Sequence, residues 1–314
     1  MPEGSGKRPQ AAAEPAHRPY ANGLDQVGQR GRVLRIWQTA ALRRSGKKIQ
    51  FMQFGGSHLR PVVWLHSLEY PMAPPWGLCV DAAAEGYSII AVRRSGFGES
   101  SPAESIEEEA EVLAEFLEEG SIENAVLVVE GTARPAGLKL ARSSPRIGFT
   151  FLVRPAYSGA DAGDLDAWTV NIILQSLQTR AGASLSLAAL TQVVRRTGHT
   201  ALYAKVFKAP SDAEFIQTHR RDLGEAWDCL RRISPETFRR NLGALIPDPA
   251  LSRSALADFA GLALIGEETL PAWRKAFEAR SAELGIATTA LPKGSFFVLH
   301  QSSAAFLQLL KAHG

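Results

Sequence analysis

Cysteine is scarce in this chain: 314 residues carry only two, Cys79 and Cys229. Two thiols so far apart, with no ligand spacing around them, exclude both a zinc site built on cysteine pairs and a disulfide framework. Each reads as a buried structural thiol. His17, His199 and His219 show no ligand spacing either. Long hydrophobic runs are also missing, and no stretch reaches the roughly 18 uninterrupted apolar residues of a membrane span. The N-terminus is polar and rich in Ala, Pro and Gly, without the apolar core of a secretory signal. Gly96-x-Gly98 is too short, and wrongly placed, for a dinucleotide fingerprint. The expectation is a soluble, cytoplasmic protein with no cofactor, no metal and no membrane contact.

The composition is 45% hydrophobic and 21% charged, which supports a large globular core. A chain of this length fits one large α/β domain with an insertion better than two independent domains. Net charge is only +3 but unevenly spread: residues 1–50 hold ten Lys or Arg against three Asp or Glu, and residues 101–125 hold nine Glu with no Lys or Arg. A basic leader can serve as a nucleic-acid arm. More often such a tail is solvated and does nothing specific, and nucleic acid is not the expected partner.

Residues 1–30, with Pro2, Pro9, Pro15 and Pro19 and no hydrophobic period, predict a disordered basic leader. Val33–Ala40 and Lys48–Phe54 suggest a hairpin about the basic turn Arg43–Gly46. Pro61–Leu65, Tyr87–Val92, Ala125–Val129 and Gly148–Val153 are short apolar runs that predict buried strands. Helical spacing between them covers Pro75–Glu85, Ile106–Glu119 and Arg134–Arg142, with Gly120 as a C-cap. The glutamates of the acidic run fall on the remaining face of Ile106–Glu119, which predicts a solvated face. Alternating strands and helices, with strands apolar throughout, predict a mostly parallel sheet covered on both faces. Residues 156–249 break the rhythm with helical patterns alone, including Leu187–Arg196 and Leu223–Arg232, and predict an inserted helical lid. Its paired arginines at 195–196, 220–221, 231–232 and 239–240, interleaved with acidic residues, predict a solvated surface. Alternation then resumes with strand Leu262–Ile265, helix Ala272–Leu284, strand Ala287–Leu291 and helix Ser303–Ala312. The core thus comprises residues 31–155 and 250–314.

Two segments carry a family resemblance. Trp64-Leu65-His66-Ser67 resembles the strand-ending His-Gly of the α/β-hydrolases, whose following loop supplies one oxyanion-hole N–H. Arg93-Arg94-Ser95-Gly96-Phe97-Gly98-Glu99-Ser100 resembles the Arg-x-Gly-Phe-Gly-x-Ser turn after the next strand, with Ser100 as a capping-type serine before the acidic helix. The resemblance implies the α/β-hydrolase fold with a lid where the family inserts one. It also implies a nucleophile in Gly-x-Ser-x-Gly at a sharp strand-to-helix turn, which falls here on Val129-Glu130-Gly131-Thr132-Ala133. Gly131 takes the nucleophile's place, and Val129 replaces a glycine that normally lets the turn close. The acid's Gly-x-x-Asp becomes Gly266-Glu267-Glu268-Thr269, with Thr269 at the acid's place and Glu268 one residue away. The histidine's Gly-His-Phe becomes Gly294-Ser295-Phe296, with Ser295 as its substitute; His300 belongs to the approach to the last helix.

All three triad positions thus hold groups unable to run the proton relay, which implies a catalytically degenerate relative that binds a ligand or partner. The N–H groups of Thr132 and of the Ser67–Leu68 loop could converge on a small acyl-type ligand, with His66, Glu130 and Gly131 lining the same pocket. A pocket filled by side chains is the competing expectation. Glu130 is either a carboxylate in that pocket or a helix-start partner for Arg134, and His66 either a base or, as the better reading, a loop brace. The alternatives are an active ester hydrolase working through Thr132, or through a water activated by Glu130 or His66, and a nucleic-acid-associated protein using the leader.

Overall fold

The computed structural model describes residues 36–155, 179–243 and 251–314. The leader, His17 and the first residues of the expected Val33–Ala40 strand lie outside them. Eight strands form one sheet: β1 (Gln38–Ala41), β2 (Lys48–Phe54), β3 (Arg60–Leu65), β4 (Tyr87–Arg93), β5 (Ala125–Glu130), β6 (Ile147–Val153), β7 (Gly261–Gly266) and β8 (Ala287–Leu291). Their spatial order is β1-β2-β4-β3-β5-β6-β7-β8. β1 and β2, and β2 and β4, pair antiparallel, and every later pairing is parallel.

The continuous apolar strands are explained by burial on both faces. Successive side chains of a strand point to opposite sides. Val63, Leu65, Ile90, Val92, Leu127 and Val129 therefore enter one core. Their neighbours Val62, Trp64, Ile89, Ala91, Val126 and Val128 enter the other. The first core is closed by α2 (Ile106–Glu119), α3 (Arg134–Ser143) and α9 (Pro271–Leu284). The second is closed by α1 (Trp76–Ala84) and α10 (Ser303–His313).

Between β6 and β7 the described residues form α4 (Arg180–Thr197), α5 (His199–Val206), α6 (Pro210–Thr218), α7 (Arg220–Leu230) and α8 (Pro235–Leu242). Their apolar faces pack into two further clusters. One joins Leu187, Trp227, Leu230 and Phe238 to Leu68 and Phe97. The other joins Phe215, Ile216 and Leu223 to Tyr70, Phe296 and Phe297. Leu68, Phe97 and Phe297 lie in the connections after β3, β4 and β8. The inserted helices therefore sit over the carboxyl ends of the parallel strands, the end at which open α/β sheets place their sites.

The acidic helix corrects the sequence reading in two ways. Its N-cap is Ser105, whose hydroxyl accepts from the Glu108 N–H at 3.1 Å. Ser100 instead accepts from Gln50 N–H at 2.8 Å and donates to Arg93 O at 2.6 Å, pinning the Gly-Phe-Gly turn to β2. Nor is the acidic face wholly solvated, because Glu109 and Glu115 are buried. Glu115 accepts the Arg44 and Ser45 N–H groups of the β1–β2 turn at 2.6 and 2.9 Å. Glu109, at 0% exposure, pairs with Arg94 at 2.9 Å and with Arg240 of α8 at 3.2 Å. Arg94 also donates to Asn241 Oδ1 at 2.7 Å. One arginine of the supposedly solvated pairs is thus a buried strut. At the helix's other end Gly120 keeps an ordinary right-handed conformation, and Ser121, at φ 49°, makes the left-handed step.

Removing one partner of a buried ion pair leaves its neighbours charged and desolvated. Glu109→Ala is expected to lower unfolding stability by about 3–5 kcal/mol, as read from the urea midpoint. A loss within the range of an exposed pair, such as Arg221 with Glu225, would contradict this account.

Candidate functional site

β5 ends at Glu130, and the chain turns through a single 3-10 turn, Gly131–Ala133, into α3. Gly131 stands at the apex with φ +47°, a conformation that glycine adopts without penalty. The expected obstacle to this turn, Val129 in place of a glycine, is relieved from the helix side. A Cβ on Gly137 would meet both Val129 methyls at 2.6 Å, so the missing side chain of α3 makes the room that the strand no longer provides. A Cβ on Gly131 would stand 3.1 Å from Ser67 Cβ and 3.9 Å from both Arg154 Nη2 and Glu69 Oε2. These groups line the space in front of the turn.

The loop after β3 is braced by His66, which is buried. Its Nε2 lies 3.2 Å from the Arg94 N–H and must accept there, which puts the ring proton on Nδ1, donating to Ser67 O at 2.8 Å. The ring meets Phe97 edge-on at 4.7 Å. Burial, reinforced by the charges of Arg93 and Arg94, holds the imidazole well below its ordinary pKa. Both nitrogens are engaged by backbone, so His66 braces the loop and has no free lone pair to act as a base. The next residues carry the N–H groups expected to converge on a ligand. Leu68 N–H donates to Thr132 Oγ1 at 2.8 Å, so a side chain of the turn itself takes the donor. Ser67 Oγ is buried and has no hydrogen-bond partner among the described residues.

Glu130 belongs to the space beside the turn. Its Oε1 accepts from Trp64 Nε1 at 2.6 Å, and its Oε2 lies 3.5 Å from Arg154 Nη2. Burial raises its pKa, and nearby Glu69 pushes the same way, against the charge of Arg154 and the Trp64 hydrogen bond. Arg154, the residue after β6, has φ 47° and lays its guanidinium 3.9 Å over the Phe296 ring. It therefore bridges Gly131 to the connection after β8. Nothing in the sequence marks this arginine, or Glu69, as part of the constellation; an apolar strand followed by a basic residue is too common a pattern.

Thr269 and Ser295 follow β7 and β8, and Gly266 and Gly294 approach so closely that a Cβ on Gly266 would overlap Gly294 O. Thr269 is buried, and its hydroxyl has no partner among the described residues. The start of α6 ties both connections down. Glu268 accepts from the Ser211 N–H at 2.8 Å and from the Ser211 hydroxyl. Asp212, buried, accepts the N–H groups of Ser295, Phe296 and Phe297 at 3.3, 2.8 and 3.0 Å. Phe207 and Phe215 stack on Phe296 and Phe297 with ring centroids 3.7 and 4.3 Å apart. His300 packs among Tyr70 and Phe215. Ser211 and Asp212 carry only a helix-start pattern after Pro210, which does not point to these partners. Among the described residues no group of three His, Cys, Asp or Glu could hold a metal ion, and no helix is long and apolar enough to cross a membrane.

No family model matches this chain, and no curated protein matches it in sequence. Solved structures do match it in fold. A bromoperoxidase from Bacillus anthracis superposes with a TM-score of 0.65 at 18% identity, covering 88% of this chain and 99% of the other. An esterase from Exiguobacterium antarcticum gives 0.62 at 14% identity, covering 88% and 98%. An enol-lactonase from Burkholderia xenovorans LB400 gives 0.60 at 17% identity, covering 88% and 99%. The architecture is the α/β-hydrolase fold.

Two expectations test the local geometry. Gly131→Ala forces a side chain into a left-handed conformation and against Ser67, and is expected to cost about 1–3 kcal/mol in chemical denaturation. A neutral substitution would mean that the turn relaxes. The His66 shift also has a sign. As pH falls through 6.5, its ordinary value, the unfolded chain gains a proton that the folded chain refuses, so stability is lost from there down to the folded pKa. The slope is at most about 1.4 kcal/mol per pH unit. Unfolding midpoints at pH 7.5 and 5.5 should fall further for the wild type than for His66→Gln; equal falls would place His66 elsewhere than in the buried neutral state.

Proposed function

We propose, from the premise of an α/β-hydrolase fold, that this chain is a non-hydrolytic member of that architecture, working by binding a ligand or partner instead of by acyl transfer. The observation that carries the reading is the turn itself: Gly131, without a side chain, stands at its apex with φ +47°, and the donor of the neighbouring loop, Leu68 N–H, is already bonded to Thr132 Oγ1. Acyl transfer needs an attacking group, a base that holds its proton, and donors aimed at the developing oxyanion. Thr269 and Ser295, at the places of the acid and the base, are neutral hydroxyls. Ser211 and Asp212 of α6 hold the connections after β7 and β8 closed over the same crevice, in the manner of a lid, and Arg154 and Glu69 fill the space where an acyl group would lie. On this reading the fold is retained for its shape and its surface.

A second reading, active hydrolysis, is favoured by one observation. Ser67 Oγ is buried without a described partner, on a side chain 3.1 Å from the site of a Gly131 Cβ, where it could replace the missing nucleophile. The bromoperoxidase, esterase and lactonase neighbours lend this alternative weight in kind.

One experiment separates them. Purified protein is incubated with p-nitrophenyl acetate and butyrate and with a fluorophosphonate probe, beside Ser67→Ala and Thr132→Val. The expected result is no labelling and hydrolysis indistinguishable from the variants. Labelling or turnover that disappears in Ser67→Ala would overturn the proposal and install Ser67 as the nucleophile.

A further inference from the structure

The opposite end of the sheet carries a cavity of about 340 Å³, within the size range of small-molecule sites. It opens where β3 begins at Arg60 and β5 at Ala125, far along the strands from Gly131. Its floor is apolar: Phe51 and Ile90 from the sheet, Phe116 from the last turn of α2, and Ile122 from the loop after it, all buried. The Phe51 and Phe116 rings stand 5.1 Å apart, tilted by 54°.

The mouth is polar. Glu123 lies there but is engaged by Arg146. Arg60 lines the same mouth, and among the described residues its buried Nε has no hydrogen-bond partner and its guanidinium no ion pair. A carboxylate at the mouth would give this half-buried guanidinium a charged, hydrogen-bonding partner. Backbone strain gathers at this rim as well. Ser121 and Asn124 have φ 49° and 48° and both line the cavity. Left-handed non-glycine residues persist only where their surroundings enforce them, and they cluster at binding sites.

We propose that this cavity binds a small amphiphilic carboxylate, with its aromatic or branched hydrocarbon body on Phe51, Ile90, Phe116 and Ile122 and its carboxylate on Arg60. A neutral ligand of equal shape would leave the guanidinium without a charged partner, and a polyanion such as a nucleotide would meet the carboxylate of Glu123. The proposal does not depend on the absence of hydrolysis at Gly131.

The probe is 4-(trifluoromethyl)benzoate, followed by fluorine NMR line broadening and titrated to about 1 mM with the full chain, with 4-(trifluoromethyl)benzamide as the neutral counterpart. Saturable broadening by the benzoate is expected. Affinity is expected to fall about tenfold or more for the benzamide and for Arg60→Gln. Binding is expected to be lost in Ile122→Trp, which fills the floor. Gln53→Phe, at a half-buried wall position, repeats the filling test should Ile122→Trp not fold. Glu69→Gln, beside Gly131, is expected to leave binding unchanged. No saturable broadening by the wild type, or binding unaffected by the filling variants, overturns the site. Binding equal for the benzamide, or unaltered by Arg60→Gln, overturns the carboxylate. A loss in Glu69→Gln with the filling variants silent would move the ligand to the crevice at Gly131.

Discussion

Glu109 bears a carboxylate at the centre of the protein, held between the guanidinium groups of Arg94 and Arg240, and the arrangement of the carboxyl end of the sheet depends on this contact. A buried ion pair contributes little net stability, because desolvation consumes most of the Coulomb attraction. Its effect is positional. Arg240 reaches across from α8 to the carbonyl of Ser95 at 2.6 Å and also to that of Ala103, which ties the helix to the Gly-Phe-Gly turn. Gly96 permits the seating, since a Cβ there would strike the Thr237 side chain. The backbone of Arg94 in turn supplies the N–H that fixes the His66 tautomer. A charge in one helix thereby sets the loop that carries Ser67 and Leu68 to the front of Gly131.

This dependence explains how the turn keeps its shape with a glycine at its apex. The turn's geometry comes from the packing of β5 against α3, and packing is indifferent to whether the apex residue has a hydroxyl. The close contact between strand and helix rests on Gly137, where a Cβ would meet both Val129 methyls at 2.6 Å. What packing cannot leave open is an unpaired buried N–H. Leu68 N–H is satisfied by Thr132 Oγ1 at 2.8 Å.

The sheet was largely legible in the sequence because a parallel strand buried on both faces is an uninterrupted apolar run, and β3, β4, β5 and β7 are such runs. The turn at Gly131 was legible because it lies between two such landmarks. The failures share one cause, which is that burial of a charged or polar group is decided by partners remote in sequence. Glu109 and Glu107 look alike within the acidic run; only the second is exposed, because only the first faces Arg94 and Arg240. Ser100 and Ser105 both precede the helix, and the choice of cap rests on which hydroxyl the β2 backbone claims. Arg154 carries no local signature at all, and Asp212 only that of a helix start. Each acquires its role from the connection it meets after β5 or β8.

Asp212 shows how firmly such a remote contact can act. One carboxylate accepts three consecutive backbone N–H groups of the Ser295–Phe297 turn, while the preceding Ser211 is bonded to Glu268 in the connection after β7. Lifting the start of α6 would orphan all three donors together and separate the stacked pairs Phe207–Phe296 and Phe215–Phe297. These losses are not sequential, because the carboxylate cannot leave one N–H without moving from the others. The connections after β7 and β8 are therefore bound into the same cooperative unit as the helices above them.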